Sequence, residues 1–471
     1  MRKRLIQLLI VFLSLGGSTQ LSSAGQTSTA GSKFRKVATP IPNRYIVVLA
    51  TTNLDPIADA TPVATPAGPG QKTSPSGSAF DAAETDAPAS QLSQTLNPGS
   101  TTTTATVPDE DQQVVSTADA LTQTYGGMRQ QTWGVALKGF RLNADEATAI
   151  AMSGDSRVAF VEEDGMVSVD PVGTPDNEPI VMTEPYNGSG PQLNAPWGLD
   201  RTDQRFLPLS RSYTFAGTGL GVNAYVIDTG IYPAHVDFRG RAVAAYDALG
   251  EDGLDCNGHG THVAGTIGSA TFGVAKNVRL FGVRVIGCVG SGAWSDVING
   301  VNWVTWHRQQ PAQRESPAVA NISLGGPADS SVDAAIRNSI RANVTYVVAA
   351  GNAGADARLY SPGRLSEAIT VAATDMLDQR GSFSNWGLAV DLFAPGVQIT
   401  STWIGGEMLI RTLTGTSMAS PHVAGVAALY LQSHRSASPA AVRSALVSTS
   451  TEGVIKEAGQ GTPNRLLFAS N

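Results

Sequence analysis

The sequence predicts an α/β protein of three layers, a mainly parallel central sheet flanked by helices, preceded by a small α+β domain. Three observations carry this. From about residue 193 onward, continuous apolar runs of strand length alternate with helix-length stretches, the pattern of a parallel sheet buried on both faces. Between residues 41 and 170, strand and helix signals alternate on a smaller scale around a low-complexity tract. With 471 residues, 42% of them hydrophobic, the chain can bury a large core in two or three domains.

Taken in order, Arg2, Lys3 and Arg4 precede an apolar run over 5–15 and the small residues Ser22, Ser23 and Ala24. Residues 1–24 therefore read as a secretory signal, the apolar run being too short to span a bilayer. A short apolar strand covers 44–49. Residues 51–112, rich in Thr, Ala, Pro and Ser, read as a flexible insertion. An amphipathic stretch follows over 113–125, then a strand over 132–138, a helix start at Asn143 with Glu146, and a last strand over 157–163. The order β-α-β-α-β is enough for a two-layer domain over 41–170. Five prolines with Gly and Asn make 170–192 an exposed, cleavable linker. In the region 193–471, strands are expected at 222–228, 278–285, 318–322, 344–350 and 368–373, and helices at 263–269, 293–308, 332–341 and 418–432.

The net charge of −7 argues against a nucleic-acid binder that neutralises phosphates. Two cysteines in the whole chain exclude a disulfide scaffold and any multi-cysteine metal centre. All six histidines lie at or after His235, so histidine chemistry belongs to the second half.

Three segments there can carry chemistry. Tyr225-Val226-Ile227-Asp228-Thr229-Gly230 puts a carboxylate at the end of a buried strand; taken alone, Asp228 could simply cap the next turn. Asn257-Gly258-His259-Gly260-Thr261-His262 puts His259 at the start of a small-residue helix. The pair His259 and His262 could also open a metal site, but no HExxH or third ligand accompanies it. Gly415-Thr416-Ser417-Met418-Ala419-Ser420-Pro421-His422 puts Ser417 at a helix start, where a serine can act as a simple cap. Together they are more specific. A serine becomes a nucleophile when a base takes its proton and a buried carboxylate orients that base. The order Asp, His, Ser is that of subtilisin, not of chymotrypsin or the α/β-hydrolases, and the chain has no G-x-S-x-G.

On these motifs the chain resembles the subtilase serine endopeptidases, within them the proteinase K group and its aqualysin-like secreted bacterial members. The resemblance covers 193–471, including Ala195-Pro196-Trp197-Gly198-Leu199-Asp200-Arg201 and Pro463-Asn464-Arg465-Leu466-Leu467. More weakly, through Tyr45-Ile46-Val47-Val48-Leu49, Gly139-Phe140 and Val161-Glu162-Glu163-Asp164, the region 41–170 resembles the family's inhibitory propeptide. It implies a subtilisin-like fold behind a ferredoxin-like propeptide domain. It implies that Ser417 is the nucleophile, His259 the general base and then acid, and Asp228 its orienter. Asn352, in Val347-Val348-Ala349-Ala350-Gly351-Asn352, would donate to the oxyanion with the Ser417 N–H; alone it would read as a turn residue. Gly290, Ser291 and Gly292, with Ser323, Leu324 and Gly325, would be the two edges that pair with an extended peptide. Ala349, Ala350 and Gly351 would line a first specificity pocket with room for a large apolar or aromatic side chain. Trp294 would wall the fourth subsite, or else be ordinary helix core.

The resemblance also implies a Cys256–Cys288 disulfide and structural Ca²⁺. Asp200, Asp203 and Gln204 share one face of a helical turn, and the family completes such a site near Ser210 and Ser212. Asp391 would serve a second ion with backbone oxygens of Ser366 and Ala368, and the acidic loop Glu251, Asp252 and Asp255 is a third candidate. The expected product is a monomeric, secreted, self-processed zymogen. It would cleave polypeptides, take its own propeptide as inhibitor and folding aid, bind no nucleic acid and have a mature N-terminus near Gly190. Competing readings are an inactive homologue acting as a binding protein, and an esterase or amidase on the same triad.

Overall fold

The computed structural model describes residues 33–50, 111–169, 178–188 and 190–469. The expectations for 1–24 and, apart from Asp111 and Gln112, for 51–112 lie outside the described residues. A nine-stranded sheet forms the centre of the larger region. From one edge its strands are Ala242–Asp247, Arg279–Arg284, Asn223–Asp228, Ala318–Ile322, Thr345–Ala349, Ile369–Thr374, Leu392–Pro395, Arg465–Leu466 and Thr451–Glu452. All neighbours pair parallel except the last two.

The strand Asn223–Asp228 shows why the fold forms. All six residues are buried, and successive side chains enter opposite cores. Ala224 and Val226 join Val263, Ile267, Val423 and Ala427 of the helices His259–Gly268 and Thr416–Ser433. Tyr225 and Ile227 join Val297, Val301, Val332 and Ile336 of the helices Trp294–Gln309 and Ser330–Arg341 on the other face. Each Val or Ile among them contributes about 1.5–3 kcal/mol when fully buried.

Over the expected range 41–170 the N-terminal domain has the order β-α-β-β-α-β, one strand more than the sequence reading, and Phe34–Arg35 adds a short parallel strand at the sheet edge. Its strands are Pro40–Leu49, Met128–Trp133, Gly139–Asn143 and Val158–Ser168, its helices Gln112–Tyr125 and Glu146–Ser153. Asp111 and Asp145 cap the helices, accepting from Val114 N and Thr148 N respectively. The strand expected over 132–138 covers only the end of the strand Met128–Trp133 and the turn that follows it, and Asn143 ends the next strand rather than starting a helix. One face of this sheet packs on its own helices through Val47, Leu121, Phe140 and Val161. The other presents Ile46, Val48 and Trp133 to the cluster that contains Val301 and Ile336. The small domain therefore docks on the helical face of the large one.

The stretch 170–192 also departs from expectation. Ile180–Val181 forms a strand on Leu409–Leu413 and Met182 is buried, so this part is anchored on the larger region although Ile180 and Val181 stay 60% and 66% exposed, as expected of a linker. Among the described residues, no helix is long and apolar enough to cross a membrane.

Candidate active site

Asp228 ends its strand fully buried, with Oδ1 accepting from Thr229 N at 2.8 Å and from His259 Nδ1 at 2.7 Å. His259 opens its helix after Gly258, whose φ is +104° and whose missing β-carbon would lie 2.4 Å from the Trp403 ring. Asp255 joins the two. Its Oδ1 accepts from Thr229 Oγ1 and Gly258 N at 2.9 and 2.8 Å, and its Oδ2 from Thr261 N at 2.9 Å. Asp255 is thus an organiser of the Asp228–His259 pair, with both oxygens engaged, and not a cation ligand. Sequence reasoning missed this role; the signal was an Asp within six residues of a Thr at the head of a helix.

Ser417 is the second residue of its helix. Its Oγ donates to Ser323 O at 2.8 Å, while Ser323 Oγ donates to Ser417 O at 2.9 Å. His259 Nε2 is buried and has no hydrogen-bond partner among the described residues. His262 and His422 are packing residues. Burial lowers their pKa values to about 3 and about 4, so both are neutral, donating to Ile399 O and Met418 O.

Asn352 follows the strand Thr345–Ala349. Its Oδ1 accepts from Thr416 N at 2.9 Å and Thr416 Oγ1 at 2.8 Å, a pinning role for Thr416 that the sequence did not reveal. A β-carbon built on Gly415 would lie 3.4 Å from Asn352 Nδ2 and 3.6 Å from Ser417 N. Both nitrogens therefore border one small space beside the serine. Gly351 has φ +100°, and a β-carbon there would meet Asn385 Nδ2 at 2.4 Å, so only glycine fits this turn.

The end of the strand Val158–Ser168 enters the cleft between the two expected edges. Ser168, Val167 and Met166 pair antiparallel with Ser291, Gly292 and Ala293. Ser168 N donates to Gly325 O at 3.4 Å, Gly325 N to Ser168 O at 3.2 Å, and Val169 N to Gly290 O at 3.0 Å. Beneath this tail, a cavity of about 390 Å³ is bordered by Leu324, Ala349, Ala350, Gly351, Tyr360 and Ser417. Trp294 is 1% exposed and reaches both Gly165 of the tail strand and Gly326 of the edge, so it is packed core and floor of the cleft at once.

Cys256 and Cys288 are joined, tying the segment before His259 to the loop before the Gly290 edge. Of the proposed cation positions, the first has Asp200, Gln204, Ser210 and Ser212 linked by hydrogen bonds. Asp200 accepts from Ser210 and Arg211, Gln204 Oε1 accepts from Ser210 N, and Ser210 Oγ lies 2.9 Å from Ser212 Oγ. Asp203 Oδ1 is buried with no hydrogen-bond partner among the described residues, and burial raises its carboxyl to about 6. Asp203 Oδ1 is thus a hard oxygen of the kind Ca²⁺ takes, while both oxygens of Asp200 are already engaged. The second set does not fit. Asp391 is engaged by Arg443 Nε and Thr370 N, both at 2.9 Å, which leaves its carboxylate already neutralised. In the third set, Glu251 lies 2.6 Å and Asp252 4.0 Å from the buried Arg284 guanidinium. Among the described residues, no three His, Cys, Asp or Glu side chains are grouped to hold a metal.

This fold and this arrangement define a serine endopeptidase. Residues 219–466 match the model of the subtilase family. An alkaline serine exoprotease A of Vibrio alginolyticus is 44% identical over 77% of the chain, which spans 64% of that relative's length. An extracellular serine proteinase of a Thermus species is 47% identical, covering 73% of this chain and 78% of its own. A solved cold-adapted subtilisin-like serine proteinase is 50% identical with a TM-score of 0.56, covering 59% of this chain and 99% of its own. The chain belongs to the subtilase family.

Proposed function

We propose that the protein is an exported serine endopeptidase, made as a zymogen, that hydrolyses peptide bonds through Asp228, His259 and Ser417. Ser417 Oγ turns from Ser323 O toward His259 Nε2, gives up its proton and attacks the scissile carbonyl. Asp228 keeps the other ring nitrogen protonated and stabilises the imidazolium. Asn352 Nδ2 and the Ser417 N–H receive the oxyanion in the space beside Gly415; one such donor is worth about 2.7–4 kcal/mol. His259 then protonates the leaving amine, and water resolves the acyl-enzyme by the same steps.

The observation that carries this reading is the tail strand. A segment of this chain's own backbone is hydrogen-bonded to both cleft edges and borders one cavity with Ser417. Such pairing recognises polypeptide backbone with little regard to side chains, which favours a broad endopeptidase over an esterase. The cavity walled by Ala349, Ala350 and Gly351 suits a large apolar or aromatic side chain. The same pairing makes the N-terminal domain an inhibitor until it is cut away, by the chain's own active site. Asp200, Asp203, Gln204, Ser210 and Ser212 would hold Ca²⁺, which stabilises the folded state by linkage. The intact Asp228–His259 pair and pinned Asn352 count against an inactive homologue.

The test is casein digestion and active-site phosphonylation of wild type beside Ser417→Ala. Wild type should be labelled and digest casein, and Ser417→Ala should do neither and accumulate as the proform. Near wild-type proteolysis by Ser417→Ala would sink the assignment.

A further inference from the structure

We propose that residues 178–188 stay on the peptidase after processing, as an N-terminal strap that ties the loop after the His259 helix to the 399–413 hairpin. The proposal rests on the zymogen reading and revises where the mature chain starts. Two parts of the stretch once expected to leave as one linker behave differently. Val169 ends in the cleft, donating to Gly290 O. From Glu178 the chain instead packs on the peptidase.

The strap makes three kinds of contact. Ile180 and Val181 pair antiparallel with Ile410 and Leu409, and Met182 N donates to Met408 O at 2.9 Å, covering an otherwise open sheet edge. The Met182 side chain, 5% exposed, packs with Phe272 and Ile410. Tyr186 N donates to Thr271 Oγ1 at 2.9 Å, Arg239 donates to Tyr186 O, and the Tyr186 ring lies 5.3 Å from Lys276 Nζ. Lys276 is 7% exposed and is held by Gln192, Ala270 and Gly273 oxygens, so the strap closes one side of a buried ammonium.

The two tied elements both support the catalytic histidine. Phe272 and Thr271 lie in the loop directly after the helix His259–Gly268. The hairpin packs on that helix through His262 Nε2 to Ile399 O and Thr402 Oγ1 to Thr261 O, at 3.0 and 2.8 Å. A cut near Gly190 would strip the strand, Met182 and Tyr186 from this corner. A cut between Val169 and Glu178 frees the cleft and keeps them.

Intact mass and N-terminal sequencing of the secreted wild-type enzyme read the outcome. The expected N-terminus lies before Glu178; one at or after residue 189 overturns the strap and leaves the zymogen reading standing. Met182→Asp should lower the melting temperature of the mature enzyme by roughly 5 °C, with kcat at low temperature little changed. An unchanged melting temperature also overturns the strap. Normal processing of Ser417→Ala in a protease-deficient host overturns self-cleavage alone, and wild type that is never processed overturns both.

Discussion

Ser417 and Ser323 clasp each other through reciprocal hydrogen bonds, each hydroxyl donating to the other's carbonyl at 2.8 and 2.9 Å. The serine that should attack is therefore parked on backbone while the cleft is filled by the tail strand. Ser323 also bonds Ser420 and receives from Asn321, at 2.8 and 2.7 Å, so a buried polar chain fixes the head of the Ser417 helix. Ser323→Ala keeps the carbonyl and removes the hydroxyl. We expect kcat to fall by about threefold to tenfold with KM nearly unchanged, because one buried hydrogen bond of about 1 kcal/mol is lost at the nucleophile's own backbone. Steady-state kinetics on a peptide substrate decide it, and an unaltered kcat would leave the clasp without a role.

Thr416 holds Asn352 through both its backbone N–H and its hydroxyl. Asn352→Ala should lower kcat by about 10²–10³ at little cost in KM, as at the corresponding donor of subtilisin. Thr416→Val removes one of the two anchors and should give a smaller loss of the same kind. A Thr416→Val effect confined to KM would show that the threonine shapes substrate binding instead.

The site was legible where its chemistry is local. Asp228, His259 and Ser417 each stand at the end of a buried strand or the start of a small-residue helix, flanked by turn glycines, and those signals need no distant partner. Strands buried on both faces, such as Ala318–Ile322, were legible for the same reason. What failed depended on residues far along the chain. Asp391 was expected as a cation ligand from the resemblance alone, and its pairing with Arg443, 52 positions later, has no local signal. Ile180 and Val181 sat among prolines and read as linker, although the edge at Leu409 and Ile410 makes them a strand. Leu392–Pro395 is four residues long and ends in proline, too brief a signal for a strand. The turn between Met128–Trp133 and Gly139–Asn143 lacks the Asn-Gly type of signal, so the expected strand ran on through the turn and the strand after it was missed.

Calcium should show itself through Asp203. Burial raises its carboxyl from 3.8 to about 6, so without a cation the fold favours the protonated form. Stability from this group is then present below its ordinary value and is lost as pH rises through about 6. In excess chelator the melting temperature should therefore decline from about pH 4 to 6 on account of this group. Added Ca²⁺ should restore it most at neutral and alkaline pH, where the carboxylate is charged. Asp203→Asn should weaken both responses. A calcium-independent melting curve across this range would remove the cation from the Asp200–Asp203–Gln204 cluster.

The last prediction concerns release of the N-terminal domain. Asp329 caps the helix Ser330–Arg341, its Oδ1 accepting from Ser331 N and Val332 N at 3.0 and 2.9 Å. Glu162 of the N-terminal domain reaches the same helix end, its Oε2 accepting from Ser331 N at 2.8 Å. Two carboxylates thus share one N–H, with Asp164 and Asp333 adding negative charge and Arg35 and Arg364 positive charge around them. Burial, then the charge of Glu162, raise the Asp329 carboxyl well above its ordinary range. Docking brings the Glu162 charge to Asp329, so the docked state favours the protonated Asp329 carboxyl more than the separated one does. A carboxyl raised in the complex favours association at low pH, so affinity should fall as pH climbs through the raised value, by at most about tenfold per pH unit for one proton. The cut but still associated complex should come apart faster as pH is raised, read by gel filtration across a pH series. Glu162→Gln removes the like-charge pair and should flatten that dependence while keeping an acceptor for Ser331. A complex that loosens on acidification instead would reverse the sign and refute the shared-proton account.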